Sequence, residues 1–268
     1  MKNNTMIIAS ASPLLIPEAW KQKFAAAARP LEVRAAGEEA EILVYDQIGE
    51  GMFSYGVTAK AFVQMLKDIG NKPVNVRLNS PGGDVFEGMA IYNAMKAHSA
   101  PVRCTVDGLA ASIASIIAMG GTTCTMAENS MMMIHNPSAM TYGEAGDLRK
   151  TAELLDKIKD QMVDTYVAKS GMGKRDTATM MDEESWLTAK ECKDKGLCDE
   201  ITDGSQVTAK FDFSILGFKH VPEQLKAEEK SETEPEGPTP EQIEEEKQRI
   251  AAVINNDQYR ERMKLALI

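Results

Sequence analysis

The 268 residues are 43% hydrophobic, enough for a substantial core, and carry a net charge of −10. Residues 223–246 hold ten glutamates against two lysines, so −8 of that charge sits in one short stretch; the rest is nearly neutral, which argues against nucleic acid as a partner. No run approaches the length of a membrane span, and the apolar patch near the N-terminus is too short, and too broken by Ser and Pro13, to read as a signal peptide. Cys104, Cys124, Cys192 and Cys198 form no C-x-x-C pair, so reduced core thiols in a cytoplasmic protein are expected, and no metal or cofactor site.

In chain order, residues 1–40 read as an irregular, Ala-rich leader. The pattern sharpens at "EILVYDQIG" (41–49), a strand, followed by Phe62, Leu66 and Ile69 at helical spacing. "VNVRLN" (74–79) alternates as a strand, "SPGG" (80–83) turns, and Val85–His98 carries apolar residues around a helix. "VRCTVDG", "TTCTM" and "MMMIH" read as short strands, interleaved with a small apolar helix at 112–119. Strands alternating with helices predict a layered α/β domain of right-handed βαβ units over 41–204. A longer helix, Gly143 to about Ser170, bears Leu148, Leu155, Ile158, Met162 and Tyr166 as one stripe; its length suggests that it projects, which would make the stripe an oligomer contact. Residues 182–187 read as loop or strand, and "TAKE" (188–191) as a capping box opening a short helix closed by Gly196. Residues 205–239 are expected to be an acidic, disordered linker, and 240–268 a terminal helix with Thr239 as its cap.

Ser112 invites the question whether it is only a helix cap. A serine at a helix N-terminus is surrounded by unpaired N–H groups, which is what an oxyanion needs. The N–H of Ile113 is one candidate donor and that of Gly83, in the tight "NSPGGD" turn, a second; Ser115, one turn further in, faces packing instead. Of three histidines, His98 ends an amphipathic helix, where it complements the dipole, and His220 lies near the tail. His135 ends an apolar strand just before "NP", so its ring should emerge at a strand end and could serve as a base. A carboxylate to orient it is available from Asp182, Glu183 or Glu184, among which residue chemistry alone does not choose.

"NSPGG", "GLAASIA" beginning 25 residues after Gly83, "MMIHNP" and "WLTAKECKDKGLCDEI" resemble, in order, the signatures of the ClpP family of peptidases over residues 41–202. The resemblance implies an α/β ClpP/crotonase-like fold with a protruding handle helix, and a serine endopeptidase acting on protein substrates in a homo-oligomeric ring. It implies Ser112 as nucleophile, His135 as base and Gly83 and Ile113 as oxyanion donors. The acid position, four residues before Thr188, falls on Glu184 where the family usually has Asp; Asp182 is the alternative. The chain also continues for more than sixty residues past the last motif, and "ILVYDQIGEGMFSYGVTAKAF" is similar to the ClpP-related head maturation proteases of tailed bacteriophages. That similarity implies capsid and scaffold proteins as substrates, in the bacterial host cytoplasm or inside the prohead. The other readings are a housekeeping-type subunit fed by an ATPase unfoldase, a crotonase-type acyl-CoA enzyme, and a non-catalytic assembly protein.

Overall fold

The computed structural model describes residues 32–36 (backbone only), 39–49, 56–204 and 218–222. The chain divides into two units, Met1–Lys226 and Ala227–Ile268, and all described residues belong to the first. The expected terminal helix, the acidic run and residues 1–31 of the leader lie outside the described residues.

The described strands form one sheet. β1 (Glu32–Ala36), β2 (Glu39–Val44), β3 (Val74–Ser80), β4 (Val102–Ala111), β5 (Thr123–Ala127) and β8 (Glu200–Thr202) lie side by side in that order; β6 (Met131–Ile134) pairs with β4, and β7 (Ser185–Thr188) with β6. β1–β2 and β6–β7 are antiparallel and the other pairs parallel. The parallel strands of the middle alternate buried and partly exposed positions at their beginnings and become buried on both faces toward their C-terminal ends. β1 corrects the sequence reading: Glu32–Ala36, inside the stretch read as an irregular leader, is a strand of the sheet, and the strand expected from 41 begins at Glu39. An antiparallel edge strand such as "EVRAA" lacks a continuous apolar run and leaves little pattern to read.

Six helices complete the described part: α1 (Ala59–Ile69), α2 (Val85–Ala97), α3 (Ile113–Met119), α4 (Ala145–Ser170), α5 (Lys174–Asp182) and α6 (Ala189–Asp194). α1 is capped by the Thr58 hydroxyl, ends at Gly70 and buries Phe62 and Leu66. Asp84 caps α2 by accepting from the Glu87 N–H at 2.9 Å. Every residue of α3 is buried, as a helix apolar on all sides must be, and it packs on α2, β4 and α4. In α4 the expected stripe divides. Ile158, Met162 and Tyr166 enter the core, whereas Leu148 in the first half is exposed. The capping box at Thr188 and Glu191 is present, and Gly196 follows α6 with φ 75°. α5 was not expected; flanked by Gly171 and Gly173, it buries only Thr177 and Met181.

The register of β4 against β3 shifts between Val106, opposite Leu78, and Ala110, opposite Ser80. The first half of β4 therefore pairs with β5 and the second with β6. Asp107 sits at this bend, 2% exposed. Arg77 grips its carboxylate with two nitrogens, Nε at 2.8 Å and Nη2, and the Tyr45 hydroxyl donates to it at 2.6 Å. Burial and the Asp107 carboxylate push the Tyr45 phenol far above its ordinary pKa, so it remains a donor. Removing the acceptor would leave the Tyr45 phenol without its partner and the partly exposed Arg77 with Glu41 alone. Asp107→Ala is expected to cost about 1–3 kcal/mol, the scale for removing one partner of a buried hydrogen bond, as a lower midpoint in urea unfolding; an unchanged midpoint would show that the bend does not depend on this carboxylate.

Candidate active site

β4 and β6 are parallel neighbours with Ala111 opposite Met133, so the residues after them leave the sheet together. Ser112 follows β4 and His135 follows β6, and the Ser112 Oγ lies 2.7 Å from the His135 Nε2. The cap reading of Ser112 fails: its side chain makes no capping bond, and its backbone takes φ 56°, ψ −130°. Only two described non-glycine residues have positive φ, Ser112 and Glu184. Such a conformation costs roughly 1–3 kcal/mol and persists only where the surroundings over-determine it. Around Ser112 they do. Its N–H donates to the Met133 carbonyl at 2.9 Å, and its carbonyl accepts from the Ser115 N–H at 3.0 Å and from the Ser115 hydroxyl. Ser115 is in turn hydrogen-bonded to the Tyr166 hydroxyl at 2.7 Å, which ties the elbow to α4.

The glycine turn closes on the same point. At Gly82 (φ 93°) an added Cβ would lie 2.6 Å from the Ser112 Cβ and 3.2 Å from the Ile113 nitrogen, so only glycine fits. Gly82 O accepts from Ile48 N and Asp84 N donates to Ile48 O, which in a parallel bridge turns the N–H of the intervening Gly83 away from Ile48. The Ile113 N–H, first in α3, has no intrahelical acceptor.

The register of β7 against β6 places Ser185 opposite Ile134, and thus Glu184 beside His135. Glu184 is 7% exposed. Its Oε1 accepts the backbone N–H groups of Lys219 at 2.8 Å and His220 at 2.7 Å and the Trp186 indole N–H at 3.3 Å, while Oε2 shares the Lys219 N–H at 2.9 Å. Burial alone would raise this carboxyl, but the amides of His220 and Lys219, the Trp186 indole and His135 together hold it below the ordinary carboxylate value. Burial lowers the His135 pKa, an effect that Glu184 opposes and Lys219 reinforces, so the imidazole is neutral at pH 7. Asp182, the alternative acid, points elsewhere: its carboxylate accepts from Asn136 Nδ2 at 2.7 Å and pairs with Lys159. His98 stays on the surface, with Nε2 3.1 Å from the Lys72 carbonyl.

Phe218–His220, expected in the linker with His220 near the tail, lies instead against the site. The Phe218 ring meets His135 edge-on (centroids 5.5 Å apart) and Trp186 likewise (5.8 Å), and packs with Val221 against Leu109, Ala111 and Met133. This corrects the disordered-linker expectation for part of 205–239: the apolar side chains in "ILGFKHVP" were the available signal, since a disordered linker has no use for them. All four cysteines are buried and free; burial pushes the Cys104 thiol up to about 12. Among the described residues no helix is long and apolar enough to cross a membrane.

The sequence profile described as Clp protease matches residues 32–205. The ATP-dependent Clp protease proteolytic subunit of Bacteroides fragilis is 33% identical over 132 residues, which cover 48% of this chain and 64% of that protein. The ATP-dependent Clp protease proteolytic subunit 1 of Salinibacter ruber is 30% identical over 141 residues, 52% of this chain and 60% of that one. The chain thus spans about three-fifths of the length of these curated relatives. Among solved structures, a point mutant of ClpP1 from Listeria monocytogenes shares the fold with a TM-score of 0.53 at 22% identity, over 61% of this chain and 91% of that one. With its profile match running from β1 to just beyond β8, the chain belongs to the Clp protease family.

Proposed function

We propose that the protein is a serine endopeptidase with Ser112 as nucleophile, His135 as general base and Glu184 as the acid. The observation that carries this reading is the 2.7 Å contact between Ser112 Oγ and His135 Nε2 at a serine held with positive φ. His135 takes the hydroxyl proton as Oγ attacks a peptide carbonyl, and returns it to the leaving amine; water then enters by the same route to release the acyl group. The N–H groups of Gly83 and Ile113 receive the oxyanion, and removing one such donor typically costs about 10²–10³ in kcat. Nothing in this sequence of steps requires a cofactor.

Assembly into a homo-oligomeric ring follows from the same reading. Met140, Tyr142, Leu148 and Leu154 put exposed apolar side chains on and just before the first half of α4, a surface suited to a second copy. The narrower role, processing of capsid and scaffold proteins in a phage prohead, is supported by the similarity of the opening segment and by the acidic C-terminal stretch as a recruiting element. The alternative, a subunit fed by an ATPase, draws support from the ATP-dependent Clp proteolytic subunits among its relatives.

Ser112→Ala is expected to lower hydrolysis of an unfolded protein substrate by at least about 10⁴-fold while leaving the unfolding midpoint unchanged; retained hydrolysis would refute the assignment. Because burial depresses the His135 pKa, the acid limb of the pH profile of kcat/KM should lie below about 6.5. Glu184→Gln removes a charge that favours imidazolium, so the limb should move to still lower pH as the rate falls; a limb that stays in place would exclude Glu184 as the partner. In a phage setting, deletion of residues 223–268 should leave peptide hydrolysis intact but abolish packaging into proheads. Equal packaging of the shortened chain would end the recruitment idea.

A further inference from the structure

We propose that Phe218–His220 is a latch that holds Glu184 away from His135 and slows the peptidase until the segment is displaced. The inference rests on the serine-peptidase reading and adds a control to it.

A working acid must accept a hydrogen bond from the Nδ1–H of the base, fixing its tautomer and stabilising the imidazolium. Here the carboxylate is otherwise engaged. Oε1 takes three N–H donors, two of them from the latch, and Oε2 shares the Lys219 N–H. Among the described residues the His135 ring has one hydrogen bond, at Nε2 with Ser112, and none at Nδ1. Acid and base are cross-strand neighbours, yet the latch receives the bonds that would join them. Phe218 meanwhile lays its ring edge-on to the imidazole, and the His220 ring adds a bond from its Nδ1 to the Glu183 carbonyl at 3.1 Å.

Two features favour a removable device over a fixed part of the domain. The segment lies outside residues 32–205, which match the family. Its grip on Glu184 is made by backbone N–H groups, while the Lys219 and His220 side chains remain exposed. Withdrawing it would free Oε2 and leave only the 3.3 Å Trp186 indole bond on Oε1, and rotation of the Glu184 side chain could then bring an oxygen to Nδ1.

The test compares the full chain with Phe218→Ala, which removes the ring, and His220→Pro, which removes one donor to Oε1. Two readouts are taken: the rate of fluorophosphonate adduct formation at Ser112 by intact mass, and the Nδ1 proton of His135 by NMR of histidine-labelled protein. At least tenfold faster labelling in both variants is expected, with a downfield Nδ1 proton that appears only in them and disappears when Glu184→Gln is added. Slower labelling would overturn the latch and make the segment a positioning element for the acid; unchanged labelling would overturn it as well. If neither the full chain nor the variants are labelled, the peptidase reading fails, and the NMR readout still decides the latch. A new Nδ1 resonance in the variants sustains the separation of Glu184 from His135, and an unaltered one refutes it.

Discussion

Ala111 faces Met133 in a parallel ladder, and Ile134 faces Ser185 in an antiparallel one. From these two registers the site follows. The residues just past the paired ends are Ser112, His135 and Glu184, delivered by three different strand ends and separated by up to 72 positions in the chain. A slip of one residue in either ladder would turn the affected side chain to the opposite face. The bend of β4 at Asp107 is part of the same constraint, because it frees the end of β4 to pair with β6 after its beginning has paired with β5.

The strained backbone lies at two of the three proposed catalytic residues. Ser112 and Glu184 are the only described non-glycine residues with positive φ, and each is held by bonds that its neighbours donate or accept. For Ser112 these come from Met133 on one side and Ser115, backed by Tyr166, on the other. The apolar α3 serves the serine in two ways: it is buried firmly enough to fix the elbow, and its first N–H remains without an intrahelical acceptor. Gly82 allows the neighbouring turn to approach within a distance that any side chain would forbid.

Much of this was legible in the residues. Apolar runs and turn glycines mark β3, α2 and α3 nearly to the residue, β4 runs three residues beyond the expected "VRCTVDG" to Ala111, and the ordered motifs point to Ser112 and His135. What the residues did not reveal has identifiable causes. β1 is a short polar edge strand and α5 buries two side chains, so neither carries a strong period. The choice between Asp182 and Glu184 is a matter of register, since two carboxylates two residues apart look alike in a charge run, while only one lies opposite His135. Phe218–His220 holds Glu184 through backbone N–H groups, which every residue but proline possesses, so the apolar residues of "ILGFKHVP" signal that the segment packs but not which side chain it binds.

The family core and the segment beyond it meet around Glu184 and His135, and the proposed mechanism depends most on the turn that sets Ser112 beside His135 and the N–H groups of Gly83 and Ile113. The most direct test is the crystal structure of the protein after phosphonylation of Ser112. The predicted result is a phosphoryl oxygen about 2.7–3.1 Å from the backbone nitrogens of both Gly83 and Ile113. A phosphoryl oxygen directed into solvent, or held by other groups, would contradict the proposed mechanism.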